Sequence, residues 1–122
     1  MDLNLRQGGP SDAEICGSIC YEAFKAVADQ HHFPPDFPSP AVAIELLAYL
    51  FSHSGIHSVV AEVNGHVVGS NFLWENADIA GVGPITVHPS VQNGSVGRRL
   101  MEYVIGRGQE GRFAGIRLVQ AA

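Results

Sequence analysis

The residues best suited to chemistry lie in one short stretch: Gln92, Asn93, Gly94, Ser95, Val96 and Gly97, followed by Arg98 and Arg99. Glycines and small side chains there leave backbone N–H groups open to a ligand. A helix starting at this point would present unpaired donors and the positive end of its dipole, the arrangement that holds a phosphate or pyrophosphate. The two arginines add cationic donors. A Walker loop needs Gly-Lys-Ser/Thr and no lysine occurs here, and Gly94-x-x-Gly97 is only a fragment of the Gly-x-Gly-x-x-Gly dinucleotide fingerprint. The competing reading is an ordinary strand-turn-helix connection without a ligand.

Other side chains could move protons or bind metal. Glu75 and His88 are candidates for a general base, the second with an unperturbed pKa suited to the task. For each, the plainer reading is a solvated residue or a strand-end hydrogen-bonding group. Cys16 and Cys20 fall four apart in the apolar stripe of a predicted helix and read as buried, reduced thiols. A zinc site built from them with His31 or His32 lacks the Cys-x-x-Cys and His-x-x-x-His spacings, so no metal is expected.

His88-Pro89, then Gln92-Asn93-Gly94-Ser95-Val96-Gly97 and Arg98-Arg99-Leu100-Met101, resembles the acyl-CoA pyrophosphate loop of the GNAT superfamily of N-acetyltransferases. That loop reads Gln/Arg-x-x-Gly-x-Gly/Ala; its first glycine falls on Ser95, with Gly94 next door. The resemblance implies an N-acetyltransferase that uses acetyl-CoA as co-substrate and a small-molecule or peptide amine as acceptor. It further implies that the backbones of Ile85, Thr86 and Val87 pair with the pantetheine amides and polarise the thioester carbonyl. The N–H groups of residues 92–97, with Arg98, would hold the pyrophosphate. The alternative is a CoA-binding or degenerate GNAT-like module without turnover, and a weaker third reading is a structural α/β domain that binds no cofactor.

These residues need elements to position them. Alternation in residues 3–7 predicts a short strand, and paired apolar positions repeating every four residues predict one helix over roughly 11–30, capped by Ser11 or Asp12 with Glu14 in a capping box. Prolines forbid helix over 31–38, where Phe33 and Phe37 would seat the loop on the core. In the GNAT fold this connection commonly lines the acceptor side. Ser39-Pro40 opens a second helix to about Ser52, with Ile44, Leu47, Ala48 and Phe51 buried. Asn64-Gly65 between valine-rich runs predicts a type I′ hairpin over 57–74. A turn at 76–78 then feeds a strand ending at His88. A third helix buries Val96, Leu100, Met101, Val104, Ile105 and Gly108, and a last strand covers 114–120, parallel to the one before the loop.

The predicted class is α/β (α+β), a mixed sheet in the order β-α-α-β-β-β-α-β. That is the first two-thirds or so of a GNAT domain, so the resemblance implies a single, incomplete domain over 1–122 without the C-terminal helix and last strands. The family's acid, a tyrosine on that helix, has no counterpart in Tyr21, Tyr49 or Tyr103. A bare strand edge over 114–122 predicts self-association, as a dimer or other homo-oligomer. A net charge of −5 argues against a nucleic-acid surface and suits a cationic acceptor. Neither a secretory signal nor an apolar run long enough for a membrane span is present, so the expected location is the cytoplasm.

Overall fold

A computed structural model of the chain describes residues 3–32, 34, 37–75, 79–91, 95–111 and 115–118. Its strands are β1 (Leu3–Gln7), β2 (Ile56–Val63), β3 (His66–Trp74), β4 (Ile79–Val82), β5 (Thr86–Val87) and β6 (Gly115–Leu118), and its helices are α1 (Ala13–Gln30), α2 (Pro40–Ser52) and α3 (Val96–Glu110). The sheet runs β1-β2-β3-β4-β6, with β5 also on β3, and only the β4–β6 ladder is parallel. This mixed sheet is the predicted class.

Alternating side chains build a core on each face of the sheet. Val60, Phe72 and Ile56 meet Cys16, Cys20, Leu47, Leu50 and Phe51 of α1 and α2, with the Phe51 and Phe72 rings edge to face at 5.0 Å. Val59, Ala61, Leu73 and Val82 meet Val96, Leu100 and Val104 of α3. On α2 the fully buried positions are Ala43, Leu47 and Leu50, while the expected Ile44 and Ala48 are only half-buried. α1 crosses α2 closely at Ile44, where a Cβ on Gly17 would lie 2.5 Å from the Ile44 Cα. The hairpin forms as predicted, with Asn64 at φ 53 and Gly65 at φ 84.

Two local expectations give way. The start of α1 has no side-chain cap; a 3-10 turn, Pro10–Asp12, precedes it. The Asp12 carboxylate instead accepts from the Gly9 N–H at 2.9 Å and from both terminal nitrogens of Arg6 at 2.8 and 3.0 Å. Those charge-assisted bonds hold Asp12 below the usual carboxylate range and fasten β1 to the helix start. Second, the single strand expected to end at His88 is broken into β4 and β5 around Gly83, whose φ of 118 only glycine adopts easily. Val82 faces Leu73 whereas Thr86 faces Ser70, so four steps of one chain match three of the other. The extra residue is a bulge. It is fastened by the Trp74 Nε1–H donating to the Gly83 carbonyl at 2.6 Å and by the Gly83 N–H donating to the Phe72 carbonyl at 2.9 Å.

The self-association expected through 114–122 falls on a segment of which only Gly115–Leu118 is described. No helix among the described residues is long and apolar enough to cross a membrane.

Candidate functional site

β5 is held between α1 on one face and α3 on the other. Thr86 and Val87 are buried and Ile85 half-buried, and the Thr86 and Ser70 hydroxyls lie 3.4 Å apart. β5 comes this close to β3 because position 69 is glycine: a Cβ there would sit 2.6 Å from the Thr86 carbonyl oxygen. The parallel ladder runs from Ile79 opposite Gly115 to Val82 opposite Leu118, and β5 lies beyond it.

α3 begins beside β5. The Ser95 hydroxyl makes no capping bond, and the Arg99 N–H donates to the Ser95 carbonyl at 3.0 Å. The N–H groups of Val96, Gly97 and Arg98 lie in the first helical turn and have no acceptor among the described residues. A Cβ on Gly97 would be 3.8 Å from the Val87 side chain, so the helix start and β5 are adjacent. The structure thus brings Ile85, Thr86, Val87, Ser95, Val96, Gly97 and Arg98 to one place. Gln92, Asn93 and Gly94 lie outside the described residues.

On the α1 side of β5 is a pocket of about 110 Å³ lined by Ala23, Phe24, Val27, Ile85, Thr86 and Val87. Phe37, from the connection after α1, packs edge-on against Phe24 with ring centroids 5.7 Å apart; Phe33 lies outside the described residues.

Of the two base candidates, Glu75 lines a different cleft, and His88, next in the chain to Val87, is not among the residues that line this pocket. Glu75 follows β3 and takes a two-pronged ion pair from Arg107, Nε–Oε2 2.7 Å and Nη2–Oε1 3.1 Å, in a cleft of about 480 Å³ shared with Glu110 and Gly111. Arg107 is eleven residues beyond Val96 on α3, so this pair lies ~16 Å along the helix from its uncapped start. His88 is half-buried just past β5, with Nδ1 accepting from the Ser90 N–H at 3.1 Å and 2.8 Å from the Ser90 hydroxyl. An Nδ1 that accepts a backbone N–H carries its lone pair there, leaving the neutral ring's proton on Nε2. Cys16 and Cys20 are buried and not joined in a disulfide, and burial, helped by the charge of Asp12, pushes the Cys16 thiol up to about 12. That thiol is inert near neutrality. No cluster of metal-ligating side chains occurs among the described residues.

One polar pair had no local signal in the sequence. His57 on β2 stacks on Tyr103 of α3, centroids 5.8 Å apart and planes 10° from parallel, with Nε2 3.1 Å from the phenol oxygen. Burial and then the nearby Arg107 charge lower the His57 pKa, against a smaller opposing pull from Glu75.

The family model described as Acetyltransferase (GNAT) family matches residues 15–122. No curated protein matches the sequence. Among solved structures, a GNAT family acetyltransferase from Brucella melitensis in complex with acetyl-CoA superposes with a TM-score of 0.74 at 20% identity, covering 98% of this chain and 77% of that one. A ribosomal-protein-alanine N-acetyltransferase from Brucella melitensis biovar Abortus 2308 gives 0.68 at 14%, covering 98% and 80%. An N-acetyltransferase from Thermoplasma acidophilum in complex with coenzyme A gives 0.70 at 14%, covering 90% and 74%.

Proposed function

Because the chain belongs to the acetyltransferase (GNAT) family, we propose that it transfers an acetyl group from acetyl-CoA to an amine. The observation that carries this reading is the uncapped start of α3 standing against β5. The N–H groups of Val96, Gly97 and Arg98, with the helix dipole behind them, suit a diphosphate. Arg98 is exposed there and free to reach a phosphate oxygen. Residues 92–94 complete the loop in this reading.

Bound acetyl-CoA supplies an activated acyl thioester. The chain's part is to lay the thioester along β5, where the backbone of Ile85, Thr86 and Val87 orients it and a backbone N–H polarises its carbonyl oxygen. The acceptor nitrogen attacks the carbonyl carbon from the α1 side, the C–S bond breaks, and the nitrogen's proton passes to solvent. Positioning and desolvation in the pocket of Phe24 and Val27 supply the remaining rate enhancement.

Calorimetric titration with acetyl-CoA and with CoA tests the binding step, and a thiol-release assay with a panel of amines tests transfer. Saturable binding with thiol release is the expected result. Binding without release from any amine would leave a CoA-binding module, and no binding of either species would end the reading.

A further inference from the structure

The lining of the 110 Å³ pocket narrows the acceptor, given the transferase reading above. Its walls are Ala23, Phe24, Val27, Ile85, Thr86 and Val87: five apolar side chains and one hydroxyl that already faces Ser70. Val27, 49% exposed, forms the rim, and Phe37 extends the apolar surface outward from Phe24. Four of the twelve acidic residues are engaged elsewhere, Asp12 and Glu62 with Arg6, Asp29 with Lys25, and Glu75 with Arg107, and no carboxylate is among the residues that line the pocket. A polycation entering here would lose hydration without meeting a counter-charge among the residues that line the pocket.

We infer that the acceptor is a weakly basic primary amine carried on a small apolar body, entering the Phe24–Val27 pocket as the neutral amine. Apolar walls penalise the ammonium form, so the fraction already neutral in solution governs the rate. An α-amino group, with a pKa near 8, is about one-tenth neutral at pH 7; an alkylamine near 10.4 is neutral in about one part in 2,500. For amines of similar shape the site therefore favours the weaker base by on the order of 100-fold at pH 7. The gap closes as pH rises. Net charge points only to an amine acceptor; the pocket lining discriminates among amines.

Phenylalaninamide, 3-phenylpropylamine and spermidine, each at saturating acetyl-CoA, form the test. Calorimetry first establishes that acetyl-CoA binds; if it does not, the transferase reading falls and this inference with it. With binding in hand, the expected order of kcat/KM at pH 7 is phenylalaninamide, then 3-phenylpropylamine, then spermidine, with the first gap shrinking toward pH 9. Val27→Asp, at an exposed position that folding tolerates, is expected to cut kcat/KM for phenylalaninamide about tenfold and raise that for spermidine, with acetyl-CoA affinity unchanged. A preference for spermidine, a gap between the two aromatic amines that does not move with pH, turnover of none of the three, or indifference to Val27→Asp would each overturn the inference while leaving the bound CoA in place.

Discussion

The two halves of α3 treat their polar groups in opposite ways. From the middle of the helix onward Tyr103 and His57 satisfy each other through a stacked hydrogen-bonded pair, and nearer the C-terminal end Arg107 and Glu75 do the same through two bonds. At the N-terminal end the donors of Val96, Gly97 and Arg98 find no cap from Ser95. A closed set of partners stabilises a fold and has nothing left for a ligand, whereas an open set costs some stability and keeps its donors for one. The site is therefore expected at the end where the protein leaves its groups unsettled, and Glu75 belongs to the settled end.

The contrast breaks most visibly at Gly97. Gly97→Asp places a carboxylate among the open donors, with room beside Val87. It should weaken acetyl-CoA binding at least about tenfold by competing for charge-assisted bonds. The same change should leave the melting temperature level or slightly raised, because an acid suits a helix start. Parallel loss of binding and stability would mean that the N-terminal end is structural after all.

Gly69→Ala comes next. Its Cβ would press on the Thr86 carbonyl, so β5 must retreat, at a cost of about 1–3 kcal/mol by overpacking. Thiol release should fall further than stability does, since the strand that moves is the one proposed to carry the thioester. Chemical denaturation and turnover measured on one preparation check this.

At the closed end the effects are smaller and appear as pH dependence. His57 titrates below its ordinary value in the folded chain, so the unfolded chain binds the proton first as pH falls. Stability should be complete above about pH 6.5 and decline below it, and His57→Gln should flatten that limb of a melting-temperature profile. Cys16 adds the opposite limb: its raised thiol favours the protonated fold, so stability should fall as pH climbs above about 9 and Cys16→Ala should remove the fall. A flat alkaline profile in the parent chain would contradict the burial of that thiol.

Glu75→Gln gives the smallest change, a loss below about 1 kcal/mol for a part-exposed ion pair. Its decisive readout is the pH–rate profile, which should keep its shape. A lost acid limb would make Glu75 the base and bring the two ends of α3 into one site.

Where local signals were strong, the chain could be read directly. Asn64-Gly65 dictates positive φ at two successive residues and the hairpin follows; Ser39-Pro40 marks the start of α2; and Val96, Leu100, Val104 and Gly108 form the buried face of α3, while the expected Met101 is only half-buried and Ile105 is exposed at the edge of that face. The break between β4 and β5 was carried by Gly83-Pro84, a turn-type dipeptide overridden in the reading by the apolar residues on either side. The missing cap on α1 depends on Arg6 reaching Asp12, and the His57–Tyr103 pair joins residues 46 apart, so neither leaves a local pattern. Ala43 and Leu50, rather than Ile44 and Ala48, join Leu47 as the fully buried positions of α2, a rotation of the helix that its own apolar pattern, rich on every side, does not specify. The candidate site was legible as a backbone motif, while its apolar wall came only from the meeting of α1 with β5.

The absent side chain at Gly17 also governs something it never touches. Phe24 stands seven residues along the same rod, ~10 Å away, so any wedge forced between α1 and Ile44 would swing the far portion of the helix as a lever about that crossing point. Under the proposed transfer, Gly17 thereby sets the gauge of the Phe24–Val27 entrance, and a larger residue at this one distant position would alter the width of amine it admits.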